Sequence, residues 1–280
     1  MRDMELYQRL ISSIENRTEV ALITVTKINN HASCLDYPTE EAVVGTKLLL
    51  FSEGEVFCEQ HISKEDWQPI LEEARTALSR QKSKAFVSKL KNYEIEYFVD
   101  VYPAPLHLIV AGAGHVAKPL VEMGKKLGFY ITVICDRPQF ANKEQFPLAD
   151  EVECKPYHEY FQRLDAASKP YITLLTRGHQ FDVTILREIL HLPIPYIGMI
   201  GSRRRISGVL SQLHEDFPST DFHHLYAPVG LDIGAQTPEE IAISVLAEIL
   251  RVKHHASGKS LREEIGHSIV YKLGEDKWTI

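Results

Sequence analysis

The sequence predicts an α/β protein whose C-terminal part is a doubly wound parallel sheet, preceded by a smaller N-terminal α+β domain. Three observations carry this. The chain has 280 residues, and domains of roughly 100–200 residues make two the natural number. Tyr102-Pro103-Ala104-Pro105 reads as a stiff linker, because proline holds itself and its predecessor in extended backbone. Past that linker, short apolar runs alternate with helical patterns, as expected of parallel strands covered on both faces by crossover helices. The predicted organisation is an α+β domain over residues 1–101, a linker at 102–105, a sheet domain over 106–256 and a polar tail over 257–280.

In the N-terminal domain, Tyr7, Leu10, Ile11 and Ile14 recur at i, i+3, i+4 and i+7 and predict a short helix. Strand-like runs follow at Val20–Ile28, Lys47–Phe51 and Glu55–Glu59, with Ser52-Glu53-Gly54 as a hairpin turn. Trp67, Ile70, Leu71, Ala74 and Leu78 give a second helix its apolar face, and Ser63 with Asp66 resembles a capping pair. Tyr93–Val101 is the last strand.

In the sheet domain, strands are predicted at Leu106–Ala111, Tyr130–Cys135, Glu151–Cys154, Tyr171–Leu175, Tyr196–Ile200 and Leu225–Ala227. Helical stretches include Val116–Leu127 and Thr184–Leu190. Pro119 is tolerable only in a first helical turn, which places the start of its helix near Gly114 or His115. Ser268–Leu273 is a further strand-like run in the tail.

The bulk composition excludes several classes. A formal net charge of −7 argues against nucleic acid as a partner. No apolar run approaches the ~18 residues of a membrane span, and the charged start MRDMELYQRL lacks the core of a signal peptide, so a cytoplasmic protein is expected. Cys34, Cys58, Cys135 and Cys154 are scattered without a C-x-x-C pair, which argues against a disulfide framework or a structural zinc site. His223-His224 and His254-His255 lack a supporting ligand set, so no metal site is expected.

Four motifs bear chemistry, each at the end of a predicted strand. Gly112-Ala113-Gly114-His115-Val116-Ala117 has the form G-x-G-x-x-A between an apolar strand and an amphipathic helix, which makes the domain Rossmann-like. Gly112 permits the tight turn, Gly114 lets a phosphate approach the backbone, and Ala117 allows close packing; free N–H groups and the helix dipole favour an anion there. Asp136, at the end of the second strand, can hold ribose hydroxyls or simply cap the strand. Gly201-Ser202-Arg203-Arg204-Arg205 offers guanidinium forks for phosphate, or a solvated helix face. Thr176 to Asp182 brings Arg177, His179 and Asp182 to the same edge, although Asp182 is equally favoured as a helix-entry acid. In Gly230 to Glu240, Thr237, Pro238 and Glu240 fit a capping box, which leaves the glycine-flanked Asp232 as a candidate pocket residue.

GAGHVAKPL, CDRPQFANKEQFP, TRGHQFD, YIGMIGSRRR and PVGLDIGAQTPEEIAISVLAEI, in this order, resemble the C-terminal domain of the XdhC/CoxI family over about residues 106–260. These are accessory proteins of molybdenum hydroxylases such as xanthine dehydrogenase. The resemblance implies a maturation chaperone that binds the molybdenum cofactor (molybdopterin), assists its sulfuration and delivers it to an apo-molybdenum hydroxylase, with a cysteine desulfurase as a further partner. On this view the cofactor-binding set is Gly112, Gly114, His115, Asp136, Arg137, Arg177, His179, Asp182, Ser202, Arg203 and Asp232, with no catalytic residue and no metal ligand. A homodimer is the default assembly. The N-terminal half departs from the family: where members carry G-S-S-P-R and a segment ending G-C-x-E, this chain reads Ile28 to Cys34 and Glu55-Val56-Phe57-Cys58-Glu59. The alternative is an NAD(P)-dependent oxidoreductase, with Gly112, Gly114 and Asp136 taken literally and His179 with Asp182 as a proton-transfer pair. A scaffold that kept the fold and lost the ligand is the third reading.

Overall fold

The computed structural model describes residues 4–30, 44–59, 64–90, 93–218 and 222–264. Residues 31–34 of the departing N-terminal segment, the Ser63 cap and the run Ser268–Leu273 lie outside them. The chain divides into two compact units, Met1–Pro105 and Leu106–Ile280.

The first unit runs α1 (Met4–Glu15), β1 (Val20–Asn30), β2 (Lys47–Phe51), β3 (Val56–Phe57), α2 (Lys64–Ser79), β4 (Lys84–Leu90) and β5 (Tyr93–Tyr102). The strands form an antiparallel sheet in the order β3-β2-β1-β5-β4. Strand alternation sends Ala21, Ile23 and Val25 to one face, against Trp67, Ile70, Leu71 and Ala74 of α2. Val20, Leu22 and Leu49 point the other way, against Leu6 and Leu10 of α1. The hairpin turn forms as the sequence predicts: Gly54 sits at φ +88°, and its N–H donates to the Phe51 carbonyl at 2.9 Å. Two features differ from the sequence reading. The apolar residues Tyr7, Ile11 and Ile14 of α1 are exposed, and the helix buries the neighbouring stripe Leu6, Leu10 and Ser13. β4 is an additional strand. Its Lys84, Ser88 and Lys89 hide it from a hydrophobic pattern, and such residues are what an unpaired edge carries.

The second unit runs β6 (His107–Ala111), α3 (Ala117–Lys126), β7 (Tyr130–Cys135), β8 (Glu151–Cys154), α4 (Tyr157–Phe161), β9 (Tyr171–Leu174), α5 (His179–Ile189), β10 (Tyr196–Met199), α6 (Arg203–Asp216), β11 (Leu225–Tyr226), α7 (Pro238–Lys253) and a final turn of helix, α8 (Leu261–Glu264). The strand order is β11-β10-β9-β6-β7-β8, with every adjacent pair parallel. This is the doubly wound, Rossmann-like order, in which the chain winds outward from the first strand in one direction and then returns to wind in the other. The reversal falls between β6 and β9. α3 and α7 cover one face, packing Leu120, Val121, Val245 and Ile249 onto Leu108, Val110 and Val133. α4, α5 and α6 cover the other, packing Phe161, Ile185, Leu186 and Val209 onto Ile109, Ala111, Ile172 and Ile197. Pro119 is the third residue of α3, inside the first turn where its missing N–H breaks no helical bond.

Candidate functional site

In open α/β sheets the ligand crevice lies outside the carboxyl ends of the strands, at the point where winding reverses. Here that point is the end of β6, flanked by β7 and β9. The turn after β6 is tight because the strands are close. Gly112 sits at φ +126°, and a Cβ there would lie 2.3 Å from the Leu175 carbonyl oxygen. Its N–H donates to the Ile134 carbonyl at 2.8 Å, while the Leu175 N–H donates to the Ala111 carbonyl, also at 2.8 Å. Gly112 is therefore required by the sheet itself. Gly114 is different: it is exposed, and a Cβ there would meet nothing within 4 Å. The exposed His115 follows it. Beyond it α3 begins with no side-chain cap; the Ala117 N–H donates to the Gly114 carbonyl at 3.0 Å and Pro119 has none, so the Lys118 amide is the first-turn donor left for solvent or an anion.

An ion pair crosses this turn. Arg177, after β9, donates from Nη2 to Asp136 Oδ2, after β7, at 2.9 Å. β6 lies between those two strands, so the pair spans the sheet end on either side of the glycine turn. Arg137 adds a second cation, its Nε 4.0 Å from Asp136 Oδ1. Each guanidinium rests on an aromatic ring, Arg137 on Phe140 at 4.1 Å and Arg177 on Phe181 at 4.7 Å. Two cations against one carboxylate leave a positive excess. Arg137 Nε is buried and finds no hydrogen-bond acceptor among the described residues.

A second cluster ties the neighbouring loops together. Asp182 is fully buried. Its Oδ1 accepts from the Thr176 hydroxyl at 2.6 Å, and its Oδ2 accepts from Arg205 Nε at 2.9 Å. Arg205 Nη2 also donates to the Thr176 carbonyl at 3.1 Å. Burial pushes the Asp182 carboxyl above its ordinary pKa, while Thr176 and Arg205 pull it back down. Asp182 thus fixes the loop after β9 to the start of α6. Ser202 caps α6, its Oγ accepting from the Arg205 N–H at 3.3 Å. The loop after β11 is anchored by Glu248, which accepts from the Tyr196 hydroxyl at 2.8 Å and the Gly230 N–H at 3.0 Å.

Residues 108–249, just over half of the chain, match the XdhC Rossmann domain. The chain belongs to the XdhC family. Among curated relatives, YqeB of Escherichia coli K12 is 30% identical over 221 residues, 73% of this chain and 40% of YqeB. A Bacillus subtilis 168 protein that carries the name of a probable xanthine dehydrogenase subunit is 35% identical over 153 residues, 55% of this chain and 44% of that protein. The chain thus spans less than half the length of these two relatives. The crystal structure of a xanthine dehydrogenase from Bacillus halodurans superposes with a TM-score of 0.52 at 20% identity, over 93% of this chain and 98% of that one. At that identity the likeness concerns the fold.

Within this XdhC fold, the residues singled out from sequence separate into three groups. Gly112, Gly114, His115, Asp136, Arg137 and Arg177 gather at the end of β7, β6 and β9. His179, Ser202, Arg203 and Asp232 are exposed along the same carboxyl edge, the last three beyond β10 and β11. Asp182 lies beneath the edge, engaged by Arg205 and Thr176. Sequence reasoning missed Arg205, the one arginine of its triplet that turns inward. A charge run at a helix start reads as a solvated face, and only the helical phase of Ile206 and Val209, both buried, hints that position 205 borders the core. A separate cavity of about 390 Å³ opens near His107, at the opposite, amino end of β6; it mixes Lys155 and Arg163 with Glu159 and Asp165 and is remote from the glycine turn. No helix among the described residues is long and apolar enough to cross a membrane.

Proposed function

We propose that this chain binds the molybdenum cofactor by its phosphate at the glycine turn and passes it to an apo-enzyme of the xanthine dehydrogenase type. The observation that carries the reading is the contrast at the turn: Gly112 is filled by the protein's own sheet, whereas the space over Gly114 is open. The Lys118 amide in the uncapped first turn of α3, the Arg137 Nε without an acceptor and the half-exposed Arg177 supply donors suited to phosphate oxygens. Membership of the XdhC family supports the accessory role. Asp136 and Arg177 act as a clasp that a phosphate can compete for. Sulfuration through a cysteine desulfurase, homodimerisation and a cytoplasmic location belong to the same reading.

The oxidoreductase reading draws on the same strand order, but both of its carboxylates are engaged. Asp136, the ribose acceptor, is held by Arg177, and Asp182, the partner required by His179, is held by Arg205. One experiment separates the two. The chain is purified from a molybdopterin-producing host, and pterin fluorescence is measured after acid release. Stoichiometric pterin is expected, and Gly114→Val is expected to reduce it about tenfold, or about 1.4 kcal/mol in affinity, at an unchanged thermal midpoint. No pterin, together with tight NADH binding by fluorescence transfer, replaces this reading with the dehydrogenase.

A further inference from the structure

We propose that Cys135 and Cys154 form a dithiol–disulfide site at the edge of the crevice, with a small disulfide of the glutathione class as its oxidant. Nothing in the linear sequence pairs these two cysteines. The fold does so, because they are partners in the register of β7 and β8, the last paired residues of that ladder. Adjacent strands lie about 4.8 Å apart, inside the Cα separation of about 4.4–6.8 Å that a disulfide spans. The two side chains also share a face. Register partners Thr132 and Glu151 hydrogen-bond on one side of the sheet at 3.1 Å, and the next pair, Val133 and Val152, packs into the core on the other. Two residues on, Cys135 and Cys154 return to the Val133 side, and Cys135 belongs to that same core.

The two thiols differ in access, which fixes the order of events. Cys154 is exposed, and Cys135 is 1% exposed. The Cys154 thiolate attacks the small disulfide, forming a mixed disulfide and releasing one small thiolate. Cys135 then loses its proton and attacks the Cys154 sulfur; the Cys135–Cys154 bond forms and the second small thiol leaves. Two protein thiols are oxidised and one small disulfide is reduced to two thiols. The site borders the cofactor crevice. Cys135 Sγ donates to Asp136 Oδ1 at 3.7 Å, and that carboxylate is the partner of Arg177. Oxidation removes this donor, so the disulfide form is expected to hold the Asp136–Arg177 clasp less firmly and to change cofactor retention. This last link rests on the proposed function above.

The test uses the full chain in mixtures of oxidised and reduced glutathione, quenched with an alkylating agent and mapped by peptide mass spectrometry. A Cys135–Cys154 cross-linked peptide, reversed by excess reduced glutathione, is expected. Cys135→Ser should instead accumulate glutathione on Cys154, and Cys154→Ser should leave Cys135 unmodified. Glutathione on Cys154 with Cys135 still alkylated after unfolding, in the unsubstituted chain, overturns the site. Released pterin is then compared between the two redox forms of the same preparation. A chain that never carries pterin removes the functional reading alone, since the peptide map decides the disulfide independently. Equal pterin in both forms overturns the coupling to the clasp.

Discussion

The parallel sheet and the antiparallel sheet bury their strands in different ways. β6 and β7 have helices on both faces, and nine of their eleven residues are buried, all but His107 and Tyr130. Any polar group in that interior must be satisfied within it, as the Asp182–Arg205–Thr176 and Glu248–Tyr196–Gly230 clusters are. The Arg137 Nε without an acceptor lies at the strand ends, beside the glycine turn and the Asp136–Arg177 pair. The antiparallel sheet is also covered at its centre, by α1 on one face and α2 on the other, but it keeps an exposed edge in β4 and carries its charges outside, as in the Lys27–Glu96 pair at 3.0 Å. The difference teaches where binding chemistry can concentrate: a sheet covered on both sides has only its ends left for a ligand.

The largest effect should come from setting a glycine of one sheet against a glycine of the other. Gly112→Ala drives a Cβ to 2.3 Å from the Leu175 carbonyl at a φ of +126°, and a loss of ~5 kcal/mol or more, enough to unfold the unit, is expected. Gly54→Ala, at φ +88° with nothing within 4 Å, should cost only about 1–2 kcal/mol. Urea unfolding measures both, followed by Trp67 fluorescence for the first unit and by the far-UV signal for the second. Similar losses for the two would show that the β6–β9 approach does not constrain Gly112.

The two ion pairs sharpen the comparison next. Asp182→Ala leaves Arg205 without its buried partner and should cost about 3–4 kcal/mol. Glu96→Ala removes an exposed pair whose side chains are 59% and 37% accessible, and should cost less than ~1 kcal/mol. Raising salt should shrink the second loss and leave the first nearly unchanged. A salt-sensitive loss at Asp182 would mean that its carboxylate is not sequestered.

These contrasts also explain what the sequence made legible. All six parallel strands are placed by sequence to within a residue at each end, the four inner ones, β6, β7, β9 and β10, because burial on both faces makes them apolar runs bounded by turns. The capping box of α7 is legible because its chemistry is local: Thr237 and Glu240 satisfy each other across one turn. The Asp182–Arg205 tie and the Cys135–Cys154 register are not, since each depends on which strands become neighbours. β4 is hidden by its polar edge, and the buried stripe of α1 by a more apolar stripe beside it. That last point can be measured. Leu10→Ala, at 5% exposure, should cost about 2–3 kcal/mol. Ile11→Ala, at 54% exposure, should cost less than ~0.5 kcal/mol. Thermal midpoints of the two variants decide it, and equal losses would return α1 to the phase that the sequence suggests.

The smallest expected effect is a pH dependence confined to the parallel unit. Glu240 Oε2 accepts from the Thr237 and Gln236 N–H groups at 3.0 and 2.7 Å, and these backbone donors hold its carboxyl below the ordinary value of 4.5. A carboxylate whose folded pKa is depressed contributes stability that is fully present above the unfolded pKa. That contribution fades as pH falls below it and through the folded pKa. The acid limb should therefore begin under about pH 4.5. Glu240→Gln keeps an acceptor but cannot ionise, so its thermal midpoint should lie below that of the unsubstituted chain at pH 6, and the gap should close as pH falls towards 3. A gap that stays constant across that range would assign the cap to neutral hydrogen bonding and remove any role for the charge at the positive end of α7.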